Sequence, residues 1–179
     1  MKKLKFKSIG IFGGSFDPPH HGHLKIALTF LKKTKSSNLY WLITKKNPFK
    51  KKSFFGLKER IKKSKQITKK NKKIKVLYLE RRLKSFRTIS SINYFKKKNL
   101  KARIFLIIGS DNLINFHKWY KYKEILKKCD VLVFSRKGFD KKAKKSIIIK
   151  IYRGKNIIFM KNKKIDISSS YLRKKYKDI

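Results

Sequence analysis

The stretch GIFGGSFDPPHHGHL, residues 10–24, decides how the rest of the chain reads. An apolar run (Ile9, Ile11, Phe12) breaks at Gly13-Gly14, a tight turn passes through Ser15-Phe16-Asp17-Pro18-Pro19, and a helix begins near His20. A strand ending in two glycines lets the backbone approach a ligand with no Cβ in the way and turns its N–H groups toward an anion. The following helix adds free N-terminal N–H groups and a partial positive charge, so the junction favours an anion before any side chain is counted. Three of the four histidines fall between positions 20 and 23. His20 and His23 are spaced i, i+3 and share one helix face, turned back toward the glycines, if the helix starts there. Two imidazole donors beside a glycine cradle suit a phosphate whose charge grows during a reaction. Asp17 reads as a turn residue capping the loop before Pro18, not as a base or a primary metal ligand.

Outward from this junction, strand-like and helix-like segments alternate. Residues 6–12 read as the first strand and 21–33 as a helix with Leu24, Ala27, Leu28 and Leu31 on its apolar face. A buried strand over 39–44 (LYWLIT) leads into a loop punctuated by Pro48 and Gly56. A basic amphipathic helix over 57–69, a strand over 74–79, a helix from Thr88 to about position 98 and a nearly all-apolar strand over 103–108 follow. Then come a helix over 120–128, a strand over 131–134, strand-like runs over 147–151 and 156–160, and a closing helix over 168–176. Parallel neighbours need crossover connections, so the alternation predicts an α/β fold: a single-domain, Rossmann-like open sheet over residues 1–179, mostly parallel, with helices on both faces. Ligands of such sheets bind at the carboxyl ends of the strands, where Gly13 and Gly109 fall.

Composition agrees. A chain of 179 residues, 40% hydrophobic and 13% aromatic, is long enough for one real core and is not disordered throughout. The single Cys129 cannot form an internal disulfide, which fits a reducing cytoplasm. No apolar run has the length of a membrane span, and the charged, apolar start MKKLKFKSIGIFGG is too interrupted by Lys5 and Lys7 for a signal peptide, so no membrane association is expected. The net charge of +44 raises nucleic-acid binding as a reading. Lysine dominates over arginine, the lysine clusters are dispersed, and aromatic-interleaved RNA-binding signatures are absent, so solvated lysine faces and no specific nucleic-acid partner are expected. The charge should still speed capture of anionic substrates. Oligomeric state is not written in the sequence, and a homo-oligomer is compatible with it.

A second anion-binding pattern stands near the C-terminus in IDISSSYLR, residues 165–173. Three serines opening a helix offer a cap and hydroxyl donors, and Arg173 lies i+4 from Ser169 and i+3 from Ser170, so all can meet on one phosphate. Alone, the serines also fit an ordinary helix cap. Two distant anion sites are what a triphosphate tail requires.

GGSFDPPHHGHL resembles the GG(T/S)FDPxHxGH signature of the nucleotidyltransferases that move a nucleoside monophosphate from a triphosphate to a phosphate acceptor, with His20, Gly22 and His23 supplying HxGH. ISSSYLR resembles the ISSTxxR element of that superfamily, with Ser170 for the usual threonine and Leu172 for the usual isoleucine. Gly109-Ser110-Asp111 followed by Trp119 resembles the GSD…W pattern of its bacterial nicotinate mononucleotide adenylyltransferases, which the related pantetheine-phosphate adenylyltransferases lack. The resemblance implies that the chain transfers the adenylyl group of ATP to nicotinate mononucleotide, giving nicotinate adenine dinucleotide and pyrophosphate in NAD biosynthesis. It implies ATP contacts at Gly13, Gly14, Ser15, Phe16, His20, His23, Arg136, Ser168, Ser169 and Arg173, with His20, His23 and Arg173 catalytic and Arg136 near the adenine. It places the acceptor at Thr88, Asp111, Trp119 and Tyr120, where Trp119 stacks on the pyridine ring and backbone N–H groups around Tyr120 and Thr88 take its carboxylate. By itself Trp119 reads equally as a partly buried core aromatic. Mg²⁺ would accompany ATP on its phosphate oxygens, with no metal-binding side chains. Other readings are transfer to nicotinamide mononucleotide or phosphopantetheine, or a basic nucleic-acid-binding protein without catalysis. The chain departs from the family pattern at Lys50, where histidine is frequent, at Ser90, where aspartate is usual, and at Arg87, where an aromatic residue is usual. His117 reads as a surface residue.

Overall fold

The computed structural model describes residues 7–45, 53–152, 154, 156–160 and 168–177. Its elements in chain order are β1 (Ser8–Gly14), α1 (His21–Thr34), β2 (Asn38–Ile43), α2 (Leu57–Thr68), β3 (Ile74–Leu77), α3 (Glu80–Leu83), α4 (Thr88–Lys98), β4 (Arg103–Gly109), α5 (Ser110–Ile114), α6 (Tyr122–Lys128), β5 (Asp130–Phe134), α7 (Asp140–Lys144), α8 (Ile147–Ile151), β6 (Ile157–Met160) and α9 (Ser169–Lys177), with a 3₁₀ turn at Phe116–Lys118 between α5 and α6.

The strands form one six-stranded sheet in the order β3-β2-β1-β4-β5-β6, and every pairing is parallel. Alternation along each central strand sends its side chains to two apolar layers. Ile9 and Ile11 of β1, Ile104, Leu106 and Ile108 of β4, and Val131 and Val133 of β5 pack with Ile92 and Phe95 of α4 and Ile125 of α6. Phe12, Phe105, Ile107, Leu132 and Phe134 face the other way, onto Ala27 and Phe30 of α1. At Gly10 the helix comes so close that a Cβ would collide with the Phe30 ring, so a glycine lets α1 settle onto β1.

The sequence reading of 147–151 as a strand is overturned: the segment is the helix α8. A short apolar run carries no period that separates a buried strand from a helix. Here β6 already pairs with β5, and the run serves as part of the crossover, burying Ile148 while leaving Ile147 and Ile151 half exposed. The third strand ends at Leu77 rather than 79, because residues 80–83 turn into α3. The helix expected from position 120 begins at Tyr122, after Lys121 in a left-handed conformation (φ 54°). The short helices α5 and α7 carry no amphipathic period long enough to read. The loop over 47–51, including Lys50, lies outside the described residues.

Candidate active site

A cleft of about 450 Å³ opens above the carboxyl ends of β1, β2 and β4. It lies where the chain, having run outward through β2 and β3, returns to place β4 on the other side of β1, the point at which an open parallel sheet splits its crossovers and leaves a crevice. Gly13, Gly14, Ser15, Thr88, Trp119 and Tyr120 line it. Trp119 is partly buried, packed on Phe116 at 5.1 Å between ring centroids, while Tyr120 is half exposed.

The turn after β1 rests on an aromatic bed. Phe16 holds a left-handed backbone (φ 45°), a conformation costing a bulky residue roughly 1–2 kcal/mol. Its ring is buried against Trp41 at 4.4 Å, Phe12 at 5.2 Å and His23 at 4.9 Å, and those contacts offset the strain. Only the backbone of Phe16, not its ring, is therefore left for a ligand. His20 caps α1, and its ring stacks on that of His23 with centroids 3.8 Å apart. The His20 backbone N–H donates to His23 Nδ1 at 3.3 Å. A lone pair accepting on Nδ1 puts the proton of the neutral ring on Nε2, which makes that atom a donor. His20 is 8% exposed and its Nδ1 is buried without a hydrogen-bond partner. Burial lowers its pKa from 6.5 to about 4, helped by the positive charge of Arg136 and by His21, so the ring is neutral at pH 7.

The turn after β1 and the serine–arginine element meet here. Arg173 Nη1 donates to the carbonyl of Asp17 at 2.6 Å, and Ser169 Oγ donates to the carbonyl of Pro18 at 3.0 Å. Arg173 Nη2 donates to Ser170 Oγ at 2.9 Å, and Ser168 Oγ accepts the N–H of Tyr171, capping α9. The serine–arginine element thus lies against the Asp17-Pro18 turn, one residue from His20 across Pro19.

Asp17 reaches beyond its own turn. Its buried carboxylate accepts the N–H groups of Phe54 and Phe55, both at 2.8 Å, tying the glycine turn to the segment before α2. Beside it lies Arg60, 1% exposed, which no motif singles out. Its guanidinium donates to the carbonyls of Ser15 (2.6 Å), Thr44 (2.7 Å), Lys45 (2.9 Å) and Phe55 (3.1 Å). Burial pulls its pKa down, opposed by Asp17 and Glu80. In a trans peptide the carbonyl and the following N–H point opposite ways, so anchoring the Ser15 carbonyl aims the Phe16 N–H away from Arg60. The one readable signal was position: Arg60 shares the buried face of α2 with Ser64 and Thr68 at four-residue steps. Glu80, also unflagged by sequence, lines the cleft and accepts the N–H of Lys45 at 3.1 Å, while burial raises its pKa.

Asp111 and Arg136 join each other. Arg136 Nη1 and Asp111 Oδ2 are 2.5 Å apart, and the Arg136 N–H donates to the buried Ser110 Oγ at 3.0 Å, linking the loops after β4 and β5. Asp111 folds so closely over Gly109 that a Cβ there would strike Oδ1, which is buried and unpartnered. Asp111, Arg136, the two histidines and the serine–arginine element lie outside the cleft lining. His117 departs from the surface reading: it is half-buried, with Nδ1 buried and unpartnered.

Comparison with known proteins agrees with this fold. The family model described as cytidylyltransferase-like matches residues 11–175. A Pelagibacter ubique protein named "Probable nicotinate-nucleotide adenylyltransferase" is 49% identical over 97% of this chain and 94% of its own length. An Aquifex aeolicus protein of the same name is 31% identical over 89% of this chain and 98% of its own. The Plasmodium falciparum nicotinic acid mononucleotide adenylyltransferase, solved with NaAD, shares the fold with a TM-score of 0.69 at 19% identity, covering 94% of this chain and 83% of that one.

Proposed function

The chain belongs to the cytidylyltransferase-like family, and on that premise we propose that it transfers the adenylyl group of ATP to nicotinate mononucleotide, releasing pyrophosphate and forming nicotinate adenine dinucleotide for NAD synthesis. It is a nucleotidyltransferase, as its relatives are. The observation that carries the reading is the contact between the front and tail of the chain at Asp17-Pro18, through Ser169 and Arg173.

In this reading an oxygen of the acceptor 5′-phosphate attacks the α-phosphorus of ATP in line. A new P–O bond forms as the bond from the α-phosphorus to the β-bridging oxygen breaks. The attacking group is already an anion, so neither a general base nor a nucleophilic side chain is required. Catalysis is positioning and charge stabilisation. The His23 Nε2–H and His20 donate to α- and β-phosphate oxygens as negative charge builds, alongside N–H groups of the Gly13–Phe16 turn. Ser168, Ser169 and Arg173 hold the β/γ end and the departing pyrophosphate. Arg136 lies by the adenine, Thr88, Trp119 and Tyr120 receive the acceptor in the cleft, and Asp111 meets it from the loop after β4.

Among the described residues no group of three His, Cys, Asp or Glu side chains could hold a metal ion. Mg²⁺ carried in on the triphosphate's own oxygens and waters would neutralise phosphate charge there. No described helix is long and apolar enough to cross a membrane. The test is pyrophosphate release from ATP with nicotinate mononucleotide, nicotinamide mononucleotide or phosphopantetheine as acceptor. Turnover with the first upholds the reading, and turnover only with another reassigns the acceptor. Tight, salt-sensitive nucleic-acid binding with no pyrophosphate would overturn it.

A further inference from the structure

We propose that Arg87 is a specificity-determining residue that binds the acceptor's carboxylate and selects the acid over the amide; the inference rests on the adenylyl-transfer reading above and deepens it. Arg87 lies immediately before α4 and lines the cleft together with Phe86, Thr88, Lys118, Trp119 and Tyr120. Its guanidinium lies over the Phe86 ring at 4.7 Å and over the Tyr120 ring at 4.9 Å. Phe86 is 56% exposed and Tyr120 52% exposed, so the stack stands at the mouth of the cleft, not in the core.

Two ring contacts hold a guanidinium by its face and leave its N–H edge to point outward. A planar fork of donors fixed in this way matches a carboxylate, which it can bind through two parallel hydrogen bonds. No carboxylate among the described residues makes an ion pair with Arg87. The charged residues of the cleft wall are Glu80, Arg87 and Lys118. Glu80 is engaged by the Lys45 N–H on the side of the wall next to β2. Lys118 precedes Trp119, and Lys121 lies over the Tyr120 ring at 5.6 Å. The stretch from Arg87 to Tyr120 is therefore cationic, and it brackets the free N–H groups at the start of α4, whose dipole adds in the same sense. A pyridine ring on Trp119 would present its 3-substituent to this rim. A carboxylate gains a charged partner there, and a neutral carboxamide does not.

The experiment measures kcat and KM for pyrophosphate release with nicotinate and nicotinamide mononucleotides, using the full chain and its Arg87→Gln and Arg87→Lys variants. Far-UV circular dichroism and the thermal midpoint report on folding. For Arg87→Gln the KM for the acid should rise about tenfold with kcat nearly unchanged, while the amide is unaffected, so the acid-to-amide ratio of kcat/KM falls about tenfold. Arg87→Lys should restore part of the ratio, since a lysine keeps the charge but loses the fork. Added salt should narrow the difference between the unmodified protein and Arg87→Gln. An unchanged ratio, or an equal loss for both acceptors, overturns the assignment of Arg87 while leaving adenylyl transfer standing. Failure of the unmodified protein to release pyrophosphate with either acceptor overturns the parent reading and this inference with it.

Discussion

A neutral imidazole in the proposed phosphate site is a matter of solvation. His20 is held uncharged by burial and by Arg136, so a proton taken up in the unfolded chain is given up on folding. Its folded-state pKa of about 4 lies below the unfolded 6.5, which means that the unfolded chain binds more protons between those values. Stability from this residue is complete above pH 6.5 and declines as the pH falls toward 4. Thermal unfolding at pH 7 and pH 5 should show that loss, and His20→Asn should flatten it; an unchanged slope would remove His20 as its source. A bound triphosphate adds negative charge beside the ring and should reduce the loss. In the proposed reaction His23 acts at a different moment, when charge develops on phosphate oxygens. Removing a donor aimed at such charge costs about 3–4 kcal/mol. His23→Ala should therefore turn over two to three orders of magnitude more slowly in the pyrophosphate assay, with circular dichroism unchanged. The aromatic bed of Phe12, Phe16 and Trp41 supports the fold without that ring.

Among the elements, the glycine turn is held from below. Arg60 reaches up from α2 to four carbonyls on three segments, and Asp17 reaches across to the segment before that helix. Arg60→Met would leave buried carbonyls without donors and Asp17 without its nearby cation, a change costing about 3 kcal/mol. Urea unfolding of that variant should show the loss, and Arg60→Lys should recover little, because one ammonium cannot reach four acceptors spread around a planar fork. Full stability in Arg60→Met would show that the loops stand without the anchor. Neither contact is visible from spacing. Apart from the Phe55 carbonyl, 5 residues away, the partners lie 15 to 45 residues away, and a lone arginine in a lysine-rich helix reads as solvated.

Across the whole molecule, the charge of +44 is long-range and the arginines are local. Only eight of the basic residues are arginine, and four of these, Arg60, Arg87, Arg136 and Arg173, make directed contacts around the cleft and the glycine turn. A lysine-heavy composition can cover solvated faces, but a flat fork with several donors has no lysine substitute. The lysine field should draw anionic substrates in. Raising ionic strength from 0.05 to 0.5 M, on the order of a threefold shorter Debye length, should lower kcat/KM for ATP more than kcat; a matched fall in both would place the effect in the chemical step instead.

By itself the sequence determined the alternating α/β order, the glycine turn with its histidines, the serine–arginine element and the membership these imply, because periodicity and capping chemistry are local and leave their mark within a few residues. The chain does not carry in any short window the joining of the serine–arginine element to Asp17-Pro18, the burial of Arg60 beneath the turn, the pairing of Asp111 with Arg136, or the helical state of residues 147–151. Those depend on which strand lies beside which. Only the packed sheet brings such distant groups within hydrogen-bond reach and removes the water that would otherwise satisfy them.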